Sequence, residues 1–268
     1  MQLHSDTQID DFDKQLDEAL EKENKKRKRY IIIGILLLLF LFKGTIFFWI
    51  KFGIAIPSGF EIEPINTMKD PVQINYTDLK KSFVGFEYTS LINGNKIQIL
   101  PQAEYKISGL VIAYNRSFLT RDDFFDSAAL YDIGLAWGKM SDKKFYKKYF
   151  ESYSQKNEMT GARVLWWKAK TSNVPGVDNY YMKTHASHTH IVPATRNVMA
   201  ALVHVNEWDN VELQGELVNM EYKNPHSGKV KYYKTSMSRD DESMGDNGYG
   251  SCETMYVTQV KKGHWIYK

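Results

Sequence analysis

The sequence predicts an α+β fold, mostly antiparallel β, either as an open antiparallel domain with short helices or as an OB-like small barrel, preceded by one transmembrane helix. Three observations carry that prediction. Residues 30–50 form an apolar run of membrane length. Beyond it, segments alternating apolar and polar residues recur between turn signals, at 84–92, 96–100, 104–114, 162–168, 189–192, 210–222, 229–236 and 253–260. Aromatic residues make up 14% of the chain and lie mostly beyond position 80, enough to fill a core there.

The apolar run is unbroken from Tyr30 to Phe42, pauses at Lys43-Gly44-Thr45 and resumes through Ile50. Twenty-one residues at about 1.5 Å each span the roughly 30 Å hydrocarbon layer, and Tyr30 and Trp49 stand where amphipathic rings meet the headgroups. Lys43 lies close enough to the outer end for its stem to carry the ammonium to the interface. Alternatively the span ends near Lys43 and 44–56 lie along the membrane surface. Both readings leave a single pass. Lys25-Lys26-Arg27-Lys28-Arg29 abut the N-terminal side, whereas after Lys51 the next base is Lys69. That asymmetry places the N-terminus in the cytoplasm and the C-terminal domain on the non-cytoplasmic side of the membrane. No small-x-small site follows the run, so it reads as an uncleaved signal anchor.

Four regions result: a cytoplasmic amphipathic helix (1–29), the transmembrane helix (30–50), a linker or extension (51–82) and a β-rich soluble domain (83–268). In the first, Thr7 and Asp10 have capping-box spacing and Ile9, Phe12, Leu16 and Leu20 recur at helical intervals, a stripe that either docks a protein partner or rests beside anionic headgroups. The net charge is +3, and beyond the apolar run bases and acids nearly balance, so nothing marks a nucleic-acid binder. The expected partners are the lipid bilayer and a protein, engaged through the N-terminal helix or the β domain. Cys252 is the single cysteine, which excludes an internal disulfide. No cofactor is expected.

Within the soluble domain, Asn93-Gly94-Asn95 between alternating runs marks a hairpin. Short helices are expected near 122–130, from Ser141 to Ser154, and near 194–202, and Asn224 to Gly228 joins two late strands. Phe60–Glu63 and Val72–Asn75 read as short extended pieces of the linker.

His185, His188 and His190 are the densest titratable cluster, and on a strand His188 and His190 project from one face, as two ligands to one metal would. The ordinary reading is imidazoles that hydrogen-bond and position a loop. Cys252 is a nucleophile if a histidine reaches it, and otherwise a small buried apolar residue. Asp240 is the candidate carboxylate. Arg239 and Glu253 are candidate binding residues, with an Arg–carboxylate tie as the structural alternative. Trp137 is either a ligand platform or a core residue.

Four segments, Glu104 to Tyr114 (EYKISGLVIAY), Asp132 to Asp142 (DIGLAWGKMSD), Ser187 to Ala194 (SHTHIVPA), and Ser238-Arg-Asp-Asp followed by Gly248 to Glu253 (GYGSCE), resemble a family of bacterial membrane-anchored or exported proteins for which no activity is established. The resemblance spans roughly 85–260 in order and spacing. It implies that His190 and Cys252 belong to two hallmark segments, and that the membrane is a bacterial inner membrane with the C-terminal domain in the periplasm. A shorter Asp-Thr-Gly-x-Gly turn of that family is expanded here to Asp241 through Gly250. Two functions follow as expectations: a tethered binding or scaffold module in a membrane complex, or an envelope hydrolase or transferase using His188 or His190 with Cys252 or Asp240. Convergence of those side chains within about 4 Å favours the second, because proton transfer needs hydrogen-bond reach.

Overall fold

The computed structural model describes residues 21–35, 53–77, 85–116, 124–156, 163–224, 227–238 and 252–268. Contacts divide the chain into two units, Met1–Lys51 and Phe52–Lys268. In the first, residues 21–35 are helical (α1), with Lys25–Glu21 and Arg27–Glu23 ion pairs at the i,i+4 spacing helices favour. Among the described residues no helix is long and apolar enough to cross a membrane. Residues 36–50 of the expected span, Lys43 included, lie outside the described residues, as do residues 1–20 of the expected stub helix.

The second unit is α+β, mostly antiparallel β with a few short helices, as the alternation predicts. Its backbone is the 21-residue strand β4 (Lys96–Arg116), preceded by β1 (Gly59–Phe60), β2 (Val72–Asn75) and β3 (Phe86–Thr89). One edge of β4 pairs in succession with β3, β2 and then β5 (Tyr131–Ala136); the other pairs with β9 (Asn210–Lys223) over residues 98–110. So long a strand must bend, and register shifts at Pro101/Ala103 and Val111/Ala113 supply the bends; Pro101 has no N–H to lose there. The alternating segment 104–114 is therefore the second half of the hairpin strand, not a strand of its own.

From β5 the sheet continues antiparallel to β8 (Ala186–Pro193), which pairs in parallel with β11 (Cys252–Lys262). β11 also pairs antiparallel with β9. The ladder thus returns on itself through β4, β5, β8, β11 and β9. β12 (Trp265–Tyr267) and β1 extend it beyond β11, and β10 (Val230–Tyr233) borders β9. The 53–77 segment runs over this unit and adds two of its strands; Lys261, almost wholly buried on β11, bonds Glu61 Oε2 at 2.6 Å and the Glu63 carbonyl at 2.9 Å.

The helices are α2 (Phe124–Ala128), α3 (Lys143–Tyr149), α4 (Asn179–Thr184) and α5 (Arg196–Val203). The helix expected from Ser141 to Ser154 is half right. Asp142, not Ser141, caps α3, accepting from the Phe145 N–H at 2.8 Å. The chain then turns to strand at Phe150 and pairs β6 (Phe150–Lys156) with β7 (Arg163–Ala169), because Phe150 and Trp167 are buried in one cluster with Leu110, Met140 and Tyr146. Tertiary packing overrides helix propensity there. A second cluster, of Tyr88, Ile97, Ile99, Ala128, Ala129, Val192, Val218 and Met220, lies under α2.

Candidate functional site

The site begins with strand alternation on three neighbouring strands. On β8, Ser187, Thr189 and Ile191 face one way and His188, His190 and Val192 the other. Register brings Asp132 of β5 opposite His190, and Cys252 of β11 opposite His188. A carboxylate, two imidazoles and a thiol thus share one face from three adjacent strands. Val192, next on that face, belongs to the cluster under α2, and the His190 ring meets Phe125 of α2 and Tyr233 of β10 edge-on, at 5.0 and 5.7 Å. Cys252 is held on both sides, by β8 and by the Ser236 N–H donating to its carbonyl at 3.0 Å.

Asp132 is fully buried, and His188 and His190 are 4% exposed. His190 Nδ1 lies 2.6 Å from Asp132 Oδ1. An ionised carboxylate only accepts, so Nδ1 carries the hydrogen, and Nε2 is the ring nitrogen turned away from Asp132. His188 turns Nδ1 toward Cys252 Sγ at 3.7 Å and Nε2 toward Asp132 Oδ1 at 3.8 Å, the latter an ionic contact too long for a hydrogen bond. The two imidazole centroids are 4.2 Å apart.

Burial pushes the Cys252 thiol up, but the rings of His188 and His190 outweigh it and bring the pKa down to about 6 from an ordinary 9. Burial likewise opposes charge on His188; the Asp132 carboxylate and the Cys252 sulfur outweigh it and raise that imidazole to about 9. Near neutral pH the pair is thiolate and imidazolium, and only a thiolate is a strong nucleophile or metal ligand. Sγ, one nitrogen of His188 and one of His190 all lie within 4.8 Å of one another.

The other sequence candidates fall elsewhere. His185 stacks on Tyr181 at 3.5 Å and 4°, with Nε2 3.7 Å from Asp70. Trp137 is 1% exposed and donates from Nε1 to the same Asp70 at 3.2 Å. Beside it Gly138 has φ +59° and passes so close to Tyr181 that a Cβ would stand 2.3 Å from the hydroxyl, so the Ala-Trp-Gly segment is a packed corner. Glu253 points to the face opposite Cys252, buried, accepting from Tyr105 at 2.9 Å and Thr189 at 3.2 Å. Arg239 and Asp240 lie outside the described residues. Asp132 is the residue that sequence reasoning missed. Its signal is one acid in the otherwise uncharged, wholly buried strand Tyr131–Ala136; what the sequence lacks is the register that sets it against His190.

No family model matches the chain, nor does any curated protein or solved structure.

Proposed function

We propose that this chain is a membrane-tethered envelope enzyme whose extracytoplasmic domain, an OB-like barrel, carries a thiol nucleophile for acyl transfer or hydrolysis. The single observation behind the chemistry is the alignment of Cys252 Sγ, the His188 ring and Asp132, with the two imidazole nitrogens 3.7 and 3.8 Å from sulfur and carboxylate. The first is within hydrogen-bond reach of a sulfur, the pairing of a nucleophile with its general acid–base, and the second sets the carboxylate as an ionic partner behind the far nitrogen of that ring. The convergence criterion is met by His188 and Cys252, with Asp132 in the carboxylate role.

In the reaction, the Cys252 thiolate attacks an acyl carbon. His188 gives its proton from Nδ1 to the departing group, leaving a thioester. His188 then takes a proton from water or an acceptor alcohol or amine, which attacks the thioester and regenerates the thiolate. Asp132 is a positioning residue, holding the His188 ring and compensating its charge from behind.

The barrel reading is supported by the closed ladder β4-β5-β8-β11-β9, by the parallel β8–β11 pair within an otherwise antiparallel ring, and by helix α5, which follows β8 and precedes β9 in the chain. The location is supported by the apolar run 30–50 and the five bases before it. The test is intact-mass analysis of the full chain, in mild detergent, after exposure to an activated phenyl ester. One acyl group on Cys252 is expected, absent in Cys252→Ser and at least tenfold slower to form in His188→Ala. A folded wild-type chain whose Cys252 stays inert to both the ester and iodoacetamide overturns the nucleophile.

A further inference from the structure

A thiol nucleophile needs one imidazole, and this site holds two. His190 takes no part in the line from Cys252 to Asp132 through His188, yet it is buried beside the same sulfur. Its Nδ1 is engaged by Asp132, so Nε2 is the nitrogen left to bind something. We infer that Cys252 Sγ, His188 Nδ1 and His190 Nε2 form a three-ligand cradle for a zinc-class d10 cation, and that an ion seated there silences the thiol. The second half rests on Cys252 being the nucleophile; the first does not.

The dimensions fit. With Zn–S near 2.3 Å and Zn–N near 2.05 Å, two ligands on a tetrahedral ion stand about 3.6 Å apart. Sγ and His188 Nδ1 are 3.7 Å apart already, and Sγ, one nitrogen of His188 and one of His190 lie within 4.8 Å of one another, so closure asks for roughly 1 Å of side-chain movement. The donor types select the ion: one thiolate and two imidazoles are soft to borderline ligands, suited to zinc(II) or copper(I), and the cradle offers no oxygen donor of the kind calcium or magnesium requires.

The surroundings fit as well. His190 donating Nδ1–H to a buried carboxylate at 2.6 Å is the carboxylate–histidine arrangement that orients metal-ligating imidazoles and raises their basicity. Charge closes too. A dication balanced by the Cys252 thiolate and the Asp132 carboxylate, with both imidazoles neutral, leaves no net charge in a nearly closed site. Three protein ligands leave a fourth position open, as in zinc sites that keep a water. Coordination draws charge from the sulfur and occupies His188 Nδ1, the nitrogen that serves as acid and base, so a seated ion silences the thiol.

The experiment uses the full chain in mild detergent, reduced and freed of metal with a chelator, with cobalt(II) as the optical probe and zinc(II) as competitor. One equivalent of cobalt should give the visible bands of a tetrahedral ion and a thiolate-to-cobalt charge-transfer band, both abolished by zinc. Cys252→Ser should lose the charge-transfer band, and His190→Ala and the closer-shaped His190→Gln should weaken binding at least tenfold, with circular dichroism confirming that each variant folds. Asp132→Asn should weaken it about 10- to 100-fold. One equivalent of zinc should stop the reaction of Cys252 with a small aromatic disulfide, and chelator should restore it. A reactive thiol with no charge-transfer band, or His190 variants that bind like wild type, overturns the cradle and leaves the nucleophile standing. A band in a chain whose metal-free thiol is inert supports the cradle and overturns the nucleophile. Zinc that binds without slowing the thiol overturns the silencing.

Discussion

Asp132 is the residue on which the candidate site turns, because one carboxylate serves two imidazoles: it bonds His190 at 2.6 Å and faces His188 at 3.8 Å. Taking it away strands positive charge in a buried setting, so Asp132→Ala should cost about 3 kcal/mol, read as a lower urea midpoint with an unchanged slope. Tyr105→Phe tests the opposite face. It removes a donor to the buried Glu253 and should cost about 1.5 kcal/mol without altering the reactivity of Cys252, since strand alternation points the two sites apart. A Tyr105→Phe chain with full stability would mean that Glu253 does not depend on that bond. At this scale the sequence was half legible. The His-x-His spacing placed two rings on one face, but it could not show that His185, three residues earlier and beyond the start of β8, stacks on Tyr181 instead, nor that Asp132 closes the set. Those facts belong to register, and a single sequence carries little information about which strand lies beside which.

Among the elements, local signals did well where local physics decides. The Asn93-Gly94-Asn95 turn, with Gly94 at φ +74°, joins β3 to β4 as expected, Val72–Asn75 is a strand to the residue, and the helix near 194–202 is α5. They did less well where partners decide: α3 stops at Tyr149 because Phe150 is drawn into the cluster with Trp167, and Trp265–Tyr267 becomes a strand only because β11 and β1 flank it. The seam that closes the ring, β9 against β11, depends on Gly215. A Cβ there would stand 1.9 Å from the Tyr256 carbonyl oxygen, a backbone atom that cannot swing aside. Gly215→Ala should therefore cost about 3 kcal/mol, near the upper end for overpacking, and lower the melting temperature by about 9 °C for a domain of this size. Gly138→Ala strains a φ of +59° and meets the Tyr181 hydroxyl, which is flexible, so its loss should be smaller. Equal melting temperatures for Gly215→Ala and wild type would contradict the β9–β11 seam.

For the whole molecule, the α+β class was readable from alternation and aromatic content, while the choice between an open antiparallel domain and a barrel was not, because the parallel β8–β11 pair joins segments more than sixty residues apart. The tether is the remaining large-scale proposal. Alkaline carbonate should leave the chain in the membrane pellet, and protease added outside sealed spheroplasts should degrade all but the N-terminal segment; release, or protection of the bulk, contradicts it. The proposed chemistry depends on His188 holding Cys252 as a thiolate, and the chain's single cysteine supplies its own reference in the urea-unfolded protein. At pH 6 a thiol with pKa about 6 is half ionised, against about one part in a thousand for one at 9. Lower basicity costs the folded thiolate about twentyfold in intrinsic nucleophilicity toward a disulfide, so a net advantage of about twentyfold remains. As pH rises the folded thiolate gains little while the unfolded one catches up, so by pH 9 the order reverses. The decisive measurement is the rate of Cys252 with a small aromatic disulfide, in chelator-treated folded and unfolded chain, at pH 6 and pH 9. The folded chain should react faster than the unfolded one at pH 6 and slower at pH 9, with the pH 6 advantage lost in His188→Ala; a folded thiol slower than the unfolded one at both pH values overturns the His188-held thiolate.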